Sequence, residues 1–505
     1  MGDCFLGIDI GTSACKAAVF DRAGRVRAEA SRGYAVEQPH SGWAQQNPDD
    51  WWQAAALVVR DLWDKGVRPA DIAGIGVDGQ SWSAVAVDGA GNSLCPTPIW
   101  YDTRSTAQCE ELKRKVGEER IFACCGNPVQ PGYALPKVLW YRDNWPNVLR
   151  RADKILSCNG FIVRRLTGQC TQEVSQGYGM FCFDMAKGTW DRGLAAEMGI
   201  DLNLFCEPQA CHAIVGGVTA QAAEATGLLP GTPVVAGGLD CACSTLGAGV
   251  LGEGQTQEQG GSAGGMSICE SAPHAHPALI VSYHVTSDRW LLQGGTVGGG
   301  GVLRWMQEEL CAGERAEAAQ RGASVYDIIN DECAAVPAGC DGLVFLPYMA
   351  GERSPIWDAR AKGVFFGLDY TKSRAHLLRA GMEGVAFSLR HNLETAAAAG
   401  AKVTSLNAVG GAANSLLWTQ IKADVTGLPI TVPSSDTATT LGAALLAAVG
   451  TGAYGSFEEA VAATVRVTRT HRPDPARQEA YQKNYEVYRE LYERLQPTMH
   501  REDKR

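Results

Sequence analysis

Three times along the chain an apolar, strand-like run ends abruptly in a turn of glycine and small polar residues. The first is Phe5-Leu6-Gly7-Ile8-Asp9-Ile10, followed by Gly11-Thr12-Ser13. The second covers residues 254–268, with Gln259-Gly260-Gly261-Ser262-Ala263-Gly264-Gly265 at its centre, and the third runs from Leu406 through Gly410-Gly411 to Asn414. Backbone amides freed in such turns point at anions, and a helix that follows adds its dipole. Their recurrence near the start, middle and last quarter predicts two α/β halves, each opening on an anion-friendly turn. The rest of the pattern agrees. Strand-like runs at 72–77, 83–87 and 233–237 alternate with helical patterns over Pro48–Trp63 and 136–142, as in an α/β domain. The opening segment reads as strand, polar turn, strand through Phe20, a hairpin turn at Asp21-Arg22-Ala23-Gly24, and a third strand.

Composition excludes several classes. The 505 residues suffice for two to four domains, and 45% apolar with 20% charged content marks globular material and not a disordered chain. With 45 basic against 55 acidic side chains the net charge is −10, and no basic cluster offsets it, so binding nucleic acid through phosphate neutralisation is not expected. The N-terminus lacks a basic, signal-like region, and none of the 17 cysteines stands in a Cys-x-x-Cys pair; free thiols in a reducing cytoplasm are expected. The uncharged stretch 437–457 is dominated by Ala, Gly and Thr, which predicts a helix packed closely in a protein core and not a membrane span. Tyr481, Tyr485, Tyr488, Tyr492 and Leu495 share one helical face, the spacing of core packing. His274 and His276, enclosed by Pro273 and Pro277, read as a surface loop and not a metal site.

Two carboxylates stand where strands end. Asp9 precedes the turn Gly11-Thr12-Ser13, with Lys16 beyond it. That set suits Mg²⁺ and phosphate oxygens, and it equally suits a plain β-hairpin with a polar turn. Asp240 follows Val234-Val235-Ala236-Gly237-Gly238-Leu239 where a helix begins. Local sequence favours an N-cap there, with a general base for a substrate hydroxyl as the alternative. The glycine runs 260–265, 294–301 and 410–411 together point to nucleotide phosphates more than any one does alone. Phosphoryl transfer needs this kind of equipment: donors around the phosphates, a metal ion, an aligned hydroxyl, a base, and exclusion of water.

These residues resemble the FGGY carbohydrate kinases, in particular their xylulokinase-like branch, over roughly residues 4–450. The segment from Gly7 through Lys16 resembles the family's first phosphate loop, and Trp43-Ala44-Gln45-Gln46-Asn47-Pro48 a helix entry of its ketose kinases. Trp100-Tyr101-Asp102-Thr103-Arg104 resembles the sugar-site segment, and Tyr133-Ala134-Leu135-Pro136-Lys137 a family signature with alanine at its second position. The most specific likenesses are Phe345-Leu346-Pro347-Tyr348 through Pro355, Lys362-Gly363 through Leu368, and His376 through Gly384.

The resemblance implies an actin-like ATPase fold of two ribonuclease-H-like domains with the site in the cleft between them. It implies ATP and Mg²⁺, a small sugar as substrate, and a homodimer. Carried over by position, Asp240 is the catalytic base and Asp9 lies near the metal. Gly11, Thr12, Ser13, Lys16, Gly261 and Ser262 lie near the phosphates; Gly410, Gly411 and Asn414 border the adenosine; Gln80, Trp82 and Asp102 face the sugar. The implied division is 1–246 for the sugar side, 247–450 for the nucleotide side, and a helical segment 451–505 packed on the domains.

Two departures bear on chemistry. Gln80-Ser81-Trp82 stands where xylulokinases usually have Gln-Met-His, so an indole with one donor replaces a sugar-bonding imidazole. Gly261-Ser262-Ala263-Gly264 replaces Gly-Thr-Ser-Gly and keeps a hydroxyl at its second position. The expected activity is ATP-dependent phosphorylation of a small ketose, with D-xylulose foremost. Another ketose or sugar alcohol is the alternative within the family, and a nucleotide-gated actin- or chaperone-like switch the alternative outside it.

Overall fold

The computed structural model describes residues 2–286, 288–434 and 437–501. Their contacts form two compact units. The first takes Met1–Leu251, Cys269–Leu292 and Thr437–Arg466; the second takes Gly252–Ile268, Gln293–Asp436 and Val467–Arg505.

In the first unit a seven-stranded mixed sheet has the order Ile214–Gly217, Pro233–Val235, Ile72–Gly79, Cys4–Ile10, Ala14–Asp21, Val26–Gly33, with Gly238–Leu239 pairing Ile72–Gly79 off that path. The three N-terminal strands form an antiparallel meander, as their turn residues predict, whereas Cys4–Ile10 and Ile72–Gly79 run parallel. All seven residues of Cys4–Ile10 are buried, so both faces of that strand are covered. On one face lies Pro48–Trp63, a helix started by Asn47 as N-cap and Pro48 in its first turn, which buries Trp51, Val58, Val59 and Leu62.

On the sheet also lies Ala438–Gly450, the helix expected from the uncharged stretch. Its small residues are explained by contact distance. A Cβ placed on Gly7 would fall 1.9 Å from the Thr440 carbonyl oxygen, and one on Gly76 would fall 1.9 Å from that of Ala443. Helix backbone rests directly on strand backbone, a separation only glycine permits. By its contacts the stretch Thr437–Arg466 is grouped with the first unit, because this late helix completes that unit's core.

The second unit is built on another seven-stranded sheet, in which Gln255–Gly260 lies between antiparallel Gly264–Glu270 and parallel Ser405–Val409, followed by Ile430–Pro433 and Val467–His471. Its helical core joins Arg374–Ala398, Leu416–Thr426 and Pro475–Met499. The tyrosine stripe of the last helix is buried there. Tyr348 donates to the Tyr488 hydroxyl at 2.7 Å and Arg379 to that of Tyr481 at 3.0 Å, so the phenol oxygens are satisfied. Among the described residues, which include every cysteine, all 17 are free thiols, and no helix is long and apolar enough to cross a membrane.

Candidate active site

The first unit gathers carboxylates at one end of its sheet. Asp9 and Asp78 are register partners on parallel strands, and Gly238 pairs Asp78 so that Asp240 follows just beyond the same edge. Lys16 is the register partner of Asp9 across the hairpin. Sequence reasoning missed Asp78. It is fully buried, and apart from the Asp9 carboxyl beside it neither of its oxygens has a hydrogen-bond partner among the described residues. Burial, with Asp9 and then Asp240 adding like charge, pushes its carboxyl well above the usual carboxylate range. Burial also raises Asp9, with Lys16 opposing.

Asp240 is raised to about 7, first by burial and then by Asp9. The N-cap reading does not match the geometry. Leu239 occupies the cap position of Asp240–Gly247 with no side-chain cap, and Asp240 is the first helical residue, its Oδ1 accepting from the Cys241 amide at 2.6 Å. A carboxyl titrating near neutrality beside a strand end is equipped to accept a proton.

The turn beyond Asp9 is closed by the Gly11 amide donating to the Ala14 carbonyl at 3.1 Å. Thr12 is held through its hydroxyl by Trp100 Nε1 at 3.0 Å and through its carbonyl by Gln46 Nε2 at 2.8 Å. Ser13 and Lys16 are exposed at this turn and strand start, where a ligand can meet them.

The sugar-side candidates divide. Gln80 is buried; its Nε2 donates to Gln46 Oε1 at 2.9 Å while its own Oε1 has no partner among the described residues. Trp82 stacks on Tyr133 at 4.1 Å and meets Tyr178 edge-on at 5.7 Å, and its buried indole N–H is likewise unpartnered among the described residues. Asp102 differs. Its carboxylate accepts from the Ala44 and Arg104 amides and forms an ion pair with the Arg104 guanidinium at 2.8 Å, with both side chains wholly buried. Arg104 in turn lies over the Trp43 ring at 3.9 Å. Asp102 is thus spent on internal partners, and its geometry is that of a scaffold for the segment 100–104.

The second unit holds a cavity of about 440 Å³, lined by Gly261, Ser262, Gly411 and Asn414 from two separate stretches of sequence. Gly410 precedes this lining: φ is 88°, and a Cβ there would lie 2.9 Å from the Gly260 carbonyl oxygen. The loop is tied down by the Gly300 and Gly301 amides donating to the carbonyls of Gly261 and Ser262 at 2.7 and 2.9 Å. Arg304, Tyr326, Asp327, Asn330 and Trp418 also line the cavity. No motif pointed to them, since they lie on helices whose facing surfaces are set only by packing. Arg304 donates to Ser262 Oγ at 3.0 Å, which brings a cation to this glycine-rich turn. The volume and mixed lining suit a nucleotide base and sugar.

Among the described residues no group of three or more His, Cys, Asp or Glu forms a ready-made metal cage. Mg²⁺ needs none, because it is commonly held by one or two carboxylates together with substrate phosphates. Asp9 and the oxygens of Asp78 offer that hard-oxygen set, and a cation there would relieve their mutual repulsion.

Residues 4–247 match the sequence model described as "FGGY family of carbohydrate kinases, N-terminal domain", and residues 261–451 match that of the C-terminal domain. The chain is 31% identical over 491 residues to the xylulose kinase of Bacillus subtilis, covering 96% of each. It is 30% identical over 489 residues to a gluconokinase of Bacillus licheniformis, covering 96% of this chain and 94% of that one. The crystal structure of xylulose kinase from Rhodospirillum rubrum superposes with a TM-score of 0.88 at 31% identity, over 99% of this chain and 100% of the other.

Proposed function

The chain belongs to the FGGY family of carbohydrate kinases, an ATP-dependent sugar kinase of the two-domain actin-like type, and we propose that its acceptor is a small neutral ketose, D-xylulose foremost. The observation that carries the chemistry is Asp240: a carboxyl at the head of a helix, held near a pKa of about 7 by burial and Asp9. In this reading Asp240 orients the acceptor hydroxyl and takes its proton as the oxygen attacks the γ-phosphorus. Gly11, Thr12, Ser13 and Lys16 offer amides, hydroxyls and a cation to phosphate oxygens, and the turn of Gly261 and Ser262 with Arg304 offers the same chemistry within its own unit. Gly410, Gly411 and Asn414 border the adenosine. Asp9, joined by Asp78, would hold Mg²⁺, which supplies neutralisation of phosphate charge when bound.

Two buried groups point to a polyhydroxylated acceptor. Gln80 Oε1 needs a donor and Trp82 Nε1 needs an acceptor. Sugar hydroxyls can serve as either. A cytoplasmic homodimer is the setting this reading expects.

The test is ADP release across a panel of ketoses, polyols and sugar acids, together with Asp240→Asn. Sugar-dependent ADP release that collapses in Asp240→Asn is expected. Release independent of any sugar, or a folded Asp240→Asn enzyme near wild-type rate, would overturn the reading.

A further inference from the structure

The strand Gln172–Glu173 runs into Val174–Met180, a 3₁₀ segment buried along its whole length. At its start stands a glutamate, outside the residues usually found at helix starts. Glu173 Oε2 accepts from the Ser175 amide at 2.7 Å, the Ser175 hydroxyl at 2.5 Å and the Gln176 amide at 3.3 Å, and Oε1 accepts from Asn159 Nδ2 at 3.4 Å. With its proton committed to Glu173, the Ser175 oxygen is left as an acceptor. It takes the Leu239 amide at 2.9 Å. Leu239 is the residue before Asp240, at the cap position of a helix that has no side-chain cap of its own.

The neighbouring side chain reaches the sugar side. Gln176 Oε1 accepts from the Trp82 amide at 3.3 Å, while its Nε2 donates to the carbonyls of Gly79 and Gln80, both at 3.3 Å, and to Asn159 Oδ1 at 3.2 Å. Trp82 has φ of 60°, a left-handed conformation that a side-chain-bearing residue holds only when its surroundings impose it. Lys137 Nζ, donating to the Trp82 carbonyl at 2.9 Å, completes that hold.

We infer that Glu173, Ser175 and Gln176 form one positioning device in which Ser175 sets the entry of the helix bearing Asp240 and Gln176 sets the left-handed turn bearing Trp82. The inference rests on Asp240 as the base and Trp82 as a sugar contact. Each arm is a direct hydrogen bond to a different backbone amide, so the two arms separate in kinetics. Ser175 governs placement of the proton acceptor and acts on kcat. Gln176 governs placement of the indole and acts on the sugar KM. Glu173 orients both.

Ser175→Ala is expected to lower kcat about 10- to 100-fold, the scale of a misplaced catalytic group, with the sugar KM within about threefold of wild type. Gln176→Leu is expected to raise the sugar KM about tenfold, roughly the effect of one misplaced polar contact, with kcat at saturating sugar little changed. Ser175→Thr, which keeps the hydroxyl, restores kcat. A purely structural role would lower thermal stability in both variants without this division. Folded Ser175→Ala with wild-type kcat, or kcat and KM moving together in both variants, overturns the inference. Should Ser175→Ala fail to fold, Glu173→Gln with wild-type kcat and KM overturns it instead. An Asp240→Asn enzyme that stays active sinks the base assignment; an inactive Asp240→Asn beside an unimpaired Ser175→Ala sinks this inference alone.

Discussion

Asp9 and Asp78 stand opposite each other on adjacent parallel strands, two buried carboxylates in direct register with no partner but Asp9 at either oxygen of Asp78 among the described residues. Like charges that close hold a proton or a cation between them. Replacing one by its amide keeps the shape and removes half of the charge. Asp78→Asn is therefore expected to fold and to need about tenfold more free Mg²⁺ for half-maximal rate, the scale of losing one supporting oxygen. A Mg²⁺ titration at fixed ATP measures this; an unchanged midpoint removes Asp78 from the metal's surroundings.

The raised carboxyl of Asp240 makes both rate and stability depend on pH. As a base it works ionised, so kcat/KM for the sugar should rise with pH through about 7 and level off above. For stability the sign runs the other way. An aspartate whose folded pKa lies above its unfolded one costs nothing when both states are protonated, below about 4, and increasingly opposes folding as pH climbs through 7. Asp240→Asn escapes that cost. Its thermal midpoint should exceed wild type at pH 8 and converge with it near pH 4, and equal midpoints throughout would contradict the burial of this carboxylate.

Trp82 sits in a backbone conformation that histidine enters more readily than most residues. Trp82→His is therefore expected to fold. It exchanges one buried donor for an imidazole with a donor and an acceptor, and should shift relative kcat/KM between two ketoses by about tenfold or more, since unpaired polar groups dominate such discrimination. An unchanged ranking over the sugar panel would take the indole out of the substrate's reach.

Gly7 and the Thr440 carbonyl leave no room for a methyl group. Gly7→Ala must push Ala438–Gly450 off the sheet, at an expected cost of about 3 kcal/mol or loss of folded protein. Chemical denaturation measures it. A variant as stable as wild type would mean that the helix does not lie against this strand.

Much of the site is carried by local pattern. Gly7-Ile8-Asp9, Gly76-Val77-Asp78 and Gly238-Leu239-Asp240 share one form, glycine, aliphatic, aspartate, each where a strand runs out. A polar turn follows the first and a helix the third, which are local signals; the second runs into Gly79-Gln80, which carries neither. Its meaning depends on strand order, and only pairing puts 9, 78 and 240 at one edge.

The chain's alternation of strand, glycine turn and helix determined its α/β class, its glycine-rich turns at strand ends and its tyrosine-striped helix, because each follows from interactions among residues close in sequence. Which carboxylates share an edge, how Asp102 comes to accept from the Ala44 amide, how Arg304 reaches Ser262, and how Ser175 comes to hold the entrance of the helix at 240 were decided by tertiary structure. Those contacts join residues tens of positions apart. Nothing in a local period or turn signal encodes them, and they exist only once sheets and helices have packed.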